Sequence, residues 1–255
     1  MKNLLAILLS LMLPSLALAE NACESLVITG HSSYAPVAWS AKGQIVGAAA
    51  DMVSAIARKL GVKNVASQDF GSWEKAQAAA NSGQADVIFG IYKNAARMTY
   101  LNYIDPPIML DPNSVVVRKG EAFPLVKWDD LKGRNGVTNV GESYGNLFDA
   151  FMAKELTVTR APGIKNTFDS LLNKQADYLI IGLYPGKIEV NSRGLTDKVE
   201  FLPKEINTAE MFVAFSKKSK CYEALRLGFA ENIKADVEQG TVKNLLDAAN
   251  KKFYQ

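Results

Sequence analysis

The sequence predicts an α/β protein built from two similar lobes, for two reasons. Short apolar strands alternate with amphipathic helical stretches, the pattern of a largely parallel sheet covered by helices. One signature also recurs: Gln84-Ala85-Asp86-Val87-Ile88 follows one helical stretch and Gln175-Ala176-Asp177-Tyr178-Leu179 follows another, 91 residues later, as a repeated supersecondary unit would produce. A chain of 255 residues, 48% apolar and 22% charged, has material for one large core or two smaller ones and is too apolar to be disordered. Its two cysteines are too few for a disulfide-built miniprotein or a Cys-rich zinc module.

At the N-terminus, Lys2 precedes an apolar run over residues 4–13 and then Ala17-Leu18-Ala19, the form of a secretory signal peptide cleaved after residue 19. The run is too short to span a bilayer, and no later stretch approaches about 20 continuous apolar residues. The mature chain is expected to start at Glu20 and to be exported, with no stable membrane insertion. Glu20-Asn21-Ala22 lacks the small and apolar residues that precede a lipidated cysteine, so Cys23 is read as unlipidated. Cys23 and Cys221 both survive cleavage into a compartment that permits disulfides. A bridge between them is expected, with two buried thiols as the alternative.

Residues 26–29 read as the first strand, ending in the turn-rich His31-Ser32-Ser33-Tyr34-Ala35-Pro36. Ala49, Met52, Val53, Ile56 and Leu60 then recur at intervals of three and four before Gly61, which predicts an amphipathic helix with a glycine stop. A second helix over 73–81, starting at Trp73 and ended by Gly83, leads to a buried strand over 86–90. The second lobe repeats the plan: a helical turn over 128–133, a strand over 136–140, helices over 145–154 and 168–173, and a strand over 178–181. Apolar stretches at 114–117 and 211–215 are expected to pass between the lobes. Two amphipathic helices, 222–235 and 242–253, are separated by the turn at Gly240 and should pack on the first lobe.

Gly141-Glu142-Ser143-Tyr144-Gly145 matches G-x-S-x-G between a predicted strand and a predicted helix. The hydrolase fold that uses this elbow places its general-base histidine after the serine. The only histidine here, His31, precedes it, so serine hydrolysis is rejected. What remains is a helix N-terminus of small residues, whose free N–H groups suit an anion such as a carboxylate. One histidine and two distant cysteines form no metal-ligand cluster, and no cofactor is expected. Lys217, Lys218, Lys220, Lys251 and Lys252 have no interleaved aromatic stripe and read as solvated helix surface, so no nucleic-acid partner is expected. Arg97 follows a buried strand in Gly90-Ile91-Tyr92-Lys93-Asn94-Ala95-Ala96-Arg97. Its planar fork suits a carboxylate, and spacing alone leaves open whether it binds one.

Seven groups of residues stand in a telling order. They are Tyr34-Ala35-Pro36; Gly47 with Asp51 and Leu60-Gly61; Gly83 with Asp86; Gly90-Ile91-Tyr92-Lys93 with Arg97 and Pro106; Asp130-Leu131-Lys132-Gly133; Gly141 with Ser143-Tyr144-Gly145; and Phe215-Ser216-Lys217-Lys218-Ser219 through Gly240. In this order and behind a signal peptide, the chain resembles the periplasmic solute-binding proteins of the polar amino-acid type, solute-binding protein family 3, which feed ABC importers. The resemblance covers essentially the whole mature chain.

It implies the type II periplasmic binding protein fold. One lobe would comprise residues 20–109 and 212–255 and the other residues 110–211, joined by two crossover strands as a hinge with the ligand between them. It also implies that Arg97 clamps the ligand carboxylate, helped by backbone N–H groups of the turn from Gly141 to Tyr144, and that Tyr34 packs on the ligand. His31, Trp73, Tyr92, Glu142, Ser143, Tyr144 and Gly182 complete the expected ligand-binding set. His31 stands where binders of basic amino acids carry an acid, which argues against a Lys or Arg ligand. Gly182 departs from the pattern, because members that bind α-amino acids usually carry an Asp there for the ligand ammonium. Either Glu142 or another carboxylate substitutes, or the ligand is not an α-amino acid. The function implied is that of a monomeric, non-enzymatic protein of a Gram-negative periplasm. It would deliver a small carboxylate-bearing solute, an amino acid or derivative, to an inner-membrane ABC permease. The alternatives are a periplasmic sensory protein and an enzyme resembling cyclohexadienyl dehydratase, with Glu142 or Asp51 as the proton-transfer group.

Overall fold

In the computed structural model, which describes residues 23–254, the repeated Ala-Asp signature is one hydrogen-bonded device used twice. The Asp86 carboxylate accepts from the Val27 N–H at 2.9 Å while the Asp86 N–H donates to Val27 O at 2.8 Å. Asp177 makes the same two bonds with Asn135, at 2.8 and 2.7 Å. Each pair sets a buried strand parallel to the strand that begins its lobe. In the first lobe β6 (Val87–Tyr92) lies beside β1 (Ser25–Thr29), and in the second β10 (Tyr178–Gly182) lies beside β8 (Asn135–Asn139). The expected signal peptide, residues 1–19, lies outside the described residues.

The main sheet adds β5 (Asn64–Ser67), β7 (Leu101–Arg118), β9 (Thr157–Ala161), β11 (Val199–Phe201) and β12 (Asn207–Ser216) in the order β5-β1-β6-β12-β7-β10-β8-β9, with β11 pairing with β7. First-lobe strands thus occupy one end and second-lobe strands the other. Between them β7 and β12 run antiparallel over most of their length and belong to both ends. The apolar stretches 114–117 and 211–215 lie inside these two strands. A small sheet of β2 (Ser33–Tyr34), β3 (Ala38–Ala41) and β4 (Gln44–Val46) covers the loop after β1.

Alternation in the strands splits the core between the two sheet faces. Val115 and Val117 join Tyr144, Phe148, Tyr178 and Ile180 on one face, while Val116 joins Val137, Phe168 and Leu179 on the other. Helices α1 (Ala48–Lys59), α2 (Trp73–Ser82), α4 (Asn146–Glu155) and α5 (Ile164–Leu172) cover these faces. The short α3 (Ala95–Met98) carries Arg97. Helix α5 starts four residues before the expected 168, because Ile164, Thr167, Phe168 and Leu171 form one buried stripe. Helix α6 (Leu183–Ser192) was not legible in the sequence, since Tyr184-Pro185-Gly186 reads as a turn. Pro185 is tolerated there because the first turn needs no intrahelical N–H partner.

The chain closes on the first lobe through α7 (Tyr222–Glu238) and α8 (Thr241–Phe253). Leu225, Phe229 and Ile233 enter the same cluster as Leu26, Ile28 and Val53, with Phe229 edge-on to Phe215 at 5.1 Å. Cys23 and Cys221 are bonded to each other and fasten the start of β1 to the start of α7. Among the described residues no helix is long and apolar enough to cross a membrane.

Candidate functional site: the cleft between the lobes

Arg97 is placed by the residue that caps its helix. Asn94 Oδ1 accepts from the Arg97 N–H at 2.8 Å, while Asn94 Nδ2 reaches across the cleft to Ser143 Oγ at 2.8 Å. The guanidinium is buried and donates to Gln77 Oε1 at 2.9 Å, Tyr92 O at 3.0 Å and Gly141 O at 3.0 Å. All three acceptors are neutral, and among the described residues Arg97 makes no ion pair. Gly141 belongs to the second lobe and has φ 82°. A Cβ there would lie 3.1 Å from both Gln77 and Glu74 and 3.3 Å from Trp73, so glycine lets the turn come this close.

His31 is buried, not an exposed loop residue. Its ring stacks on Trp73 at 5.2 Å and tilts against Tyr34 at 5.3 Å. Nδ1 accepts from the Ser33 N–H at 2.9 Å, which leaves Nε2 to face Glu142 Oε1 across the cleft at 3.2 Å. Burial alone would raise the Glu142 carboxyl, but the hydrogen bond and charge of His31, with Arg97 and Asn139, hold it below the usual carboxylate range. The Trp73 indole N–H is buried without a hydrogen-bond partner, and the Arg97 guanidinium lies 5.5 Å from the Trp73 ring centre.

A third group joins the first lobe to the hinge. The hydroxyls of Tyr34 and Tyr92 both donate to Asp111 Oδ2, at 2.5 and 2.6 Å, and stand 3.1 Å from each other. Asp111 lies within β7, is fully buried, and has no partner for Oδ1. Burial pushes its carboxyl up to about 7, against the lowering effect of the two tyrosines. Both tyrosines are raised well above their ordinary value by burial first and by Asp111 next. Gly182 ends β10 beside this group. A Cβ on it would fall 1.9 Å from the Tyr34 hydroxyl oxygen and 2.8 Å from Asp111 Oδ2. The space an acid at 182 would take is therefore filled by Tyr34, with the Asp111 carboxyl directly behind it. Sequence reasoning missed Asp111.

Ser143, besides taking the bond from Asn94, is engaged with Tyr144 within their own lobe. Ser143 Oγ donates to Asp149 Oδ2, and the Tyr144 N–H donates to Asp149 Oδ1 at 2.8 Å. A carboxylate from the first turn of α4 thus already takes the Tyr144 N–H, one of those expected to face a ligand. The Tyr144 ring is core, its hydroxyl bonded to Thr138 and to Ile180 O at 2.8 Å. Asp51 is exposed on α1, and the described residues contain no cluster fit for a metal ion. The cleft holds an outer cavity of about 220 Å³ bordered by His31, Ser33, Trp73, Asn139 and Gly163. Two inner cavities of about 10 Å³ each lie among Tyr34, Tyr92, Arg97 and Glu142, and among Tyr34, Tyr144 and Gly182, each with room for about one water. A larger hollow of about 490 Å³ around Leu125, Trp128, Phe151 and Ile206 shares no residue with the cleft.

The sequence model of the bacterial extracellular solute-binding proteins, family 3, matches residues 26–254. The chain belongs to this family. It resembles the substrate-binding protein of an amino acid ABC transporter at 24% identity and TM-score 0.69, over 89% of this chain and 99% of that one. It resembles AbpA from Streptococcus pneumoniae, determined with L-arginine bound, at 21% identity and TM-score 0.70, over 89% and 95%. A histidine kinase sensor domain described as similar to periplasmic binding proteins matches at 20% identity and TM-score 0.70, over 88% and 95%. These likenesses show the fold, with its two lobes of mixed α/β structure. A comparison with curated proteins finds no match.

Proposed function

We propose that this family 3 protein captures a small carboxylate-bearing solute, an amino acid or a derivative, in the cleft between its lobes and delivers it to an ABC importer of the inner membrane. The observation that carries this reading is Arg97: a buried guanidinium that bonds three neutral oxygens and, among the described residues, has no anion in direct contact. A buried charge bonded only to neutral acceptors is costly, and a carboxylate entering the cleft would replace Gly141 O with a charge-assisted bidentate bond. The inner cavities are too small for such a solute, so the lobes, residues 20–109 with 212–255 and residues 110–211, separate about β7 and β12 to admit it. The protein acts as a periplasmic monomer in a Gram-negative cell.

Binding is favoured over catalysis because Asp51 is exposed away from the cleft and Glu142 is held by His31 and Asn139. The test is a thermal-shift screen that pairs small acids with their neutral amides. Acids should raise the melting temperature by mass action and their amides should not. Equal shifts for acid and amide would contradict the reading. A permease gene beside the gene for this protein supports delivery, and a receptor gene in its place would favour sensing.

A further inference from the structure

Asp111 is fully buried in β7, and among the described residues no lysine, arginine or histidine pairs with it. Its Oδ1 has no hydrogen-bond partner, while Oδ2 receives the hydroxyl protons of both Tyr34 and Tyr92. A buried carboxyl in this state needs a proton or a positive neighbour. Gly182 brings no side chain to it. The two phenols that hold it are also walls of the inner cavity beside Arg97. Titratable groups acting on it are Tyr34 from β2, Tyr92 from the end of β6, Glu142 from the turn after β8 and Glu205 from the segment before β12.

The two protonation states of Asp111 give the cleft opposite polarity. With the carboxylate ionised, both phenols turn their single proton inward and present lone pairs to a solute. With the carboxyl protonated, its own O–H donates to one phenol oxygen and frees that phenol's proton; a freed Tyr92 proton has Asn113 Oδ1 as its acceptor at 3.2 Å, so it is the Tyr34 proton that is released to point outward. We propose that Asp111 is a specificity-determining residue: through Tyr34 and Tyr92 it sets whether the floor of the cleft accepts or donates hydrogen bonds. Its ionised form selects a solute with a cationic nitrogen at that place, and its protonated form selects a solute with a bare oxygen acceptor. This rests on the carboxylate reading above, with Arg97 holding the acid group in both cases.

Since burial raises Asp111 to about 7, the change of state falls in a range open to experiment. The probes are matched 2-amino and 2-oxo acids: alanine with pyruvate, glutamate with 2-oxoglutarate, leucine with 4-methyl-2-oxopentanoate. The carboxylate and side chain are common to each pair, and only the group at C2 differs. Calorimetric titration into the mature protein should show the preference for the amino acid rising about tenfold or more between about pH 5.5 and about pH 8.5. Asp111→Asn cannot titrate and should show one preference at both. Effects of His31 and Glu142, which share the cleft, would persist in Asp111→Asn. A flat preference in the wild type, or a wild-type slope surviving in Asp111→Asn, overturns the proposal.

Should Asp111→Asn fail to fold, the wild type decides the matter in buffers of different ionisation enthalpy near pH 7. The amino probe should release protons and the oxo probe take them up, and equal proton exchange for both overturns the proposal. Binding by neither member of any pair overturns the carboxylate reading and this proposal with it. Binding of acids with a flat preference overturns only the part assigned to Asp111.

Discussion

The short helix carrying Arg97 and the hinge strand carrying Asp111 each bury a group that carries or can carry charge, with no ion-pair partner among the described residues. They deal with it in opposite ways. Arg97 spreads its charge over three neutral oxygens drawn from both lobes, one of them Gly141 O of the second lobe. Asp111 has only two phenolic donors and leaves one oxygen bare, so burial lifts it to about 7. A guanidinium cannot shed its proton in a protein, whereas a carboxyl can take one up. The first is therefore a fixed charge, and the second is a group whose charge depends on pH and on its surroundings.

The sharpest way to break this contrast is Arg97→Ala. Losing one partner of a buried charge pair costs about 2–5 kcal/mol, so acids that stabilise the wild type should cease to do so in a thermal-shift assay. The three orphaned acceptors should also lower the melting temperature of the ligand-free protein. Cleaving the Cys23–Cys221 bridge is the complementary control. The bridge joins residues 198 apart in sequence and should contribute about 2–4 kcal/mol, measured by denaturant unfolding of a Cys23→Ser/Cys221→Ser variant. It fastens the far side of the first lobe, so the variant should keep the wild-type affinity for acids while losing stability.

Gly182→Ala tests the Asp111 side by packing. Its Cβ would lie 1.9 Å from the Tyr34 oxygen, and overpacking of this kind costs about 1–3 kcal/mol. Adding Tyr34→Phe removes that oxygen, so the double variant should be more stable than the sum of the single effects predicts in a double-mutant cycle. The smallest effect is on the pH dependence of stability. Asp111 is raised on folding, so its contribution is complete below the unfolded value of about 4 and is lost as pH rises through about 7. Glu142 is lowered on folding, so its contribution is present above the ordinary carboxylate value and is lost as pH falls through its folded value. In pH-dependent melts, Asp111→Asn should flatten the loss toward high pH and Glu142→Gln the loss toward low pH.

Much of the scaffold was legible in the sequence because periodicity and punctuation report local physics. The Ala-Asp echo is the plainest case, since Asp86 and Asp177 do the same job for Val27 and Asn135 and each needs only its neighbouring strand. Arg97 and His31 stood out as the cation after a buried strand and the single imidazole. Asp111 did not. It sits in Asp105-Pro106-Pro107-Ile108-Met109-Leu110-Asp111-Pro112, where two prolines precede the single apolar run and a third follows Asp111, so no periodicity marks either acid as buried. Asp105 is indeed exposed, and Asp111 is buried only because β12 and the tyrosines of β2 and β6 converge on it from far along the chain. Nor could spacing show that Asp149 takes the Tyr144 N–H before its own helix start. Such facts belong to tertiary packing, and a single sequence carries no local sign of them.

The most direct test of a carboxylate held between the lobes is mass spectrometry of solute released from protein purified without denaturation, run in parallel on wild type and Arg97→Ala. The account predicts a small acid released from the wild type and missing from Arg97→Ala. A released solute without an acid group, or the same acid recovered from both proteins at equal stoichiometry, would contradict it.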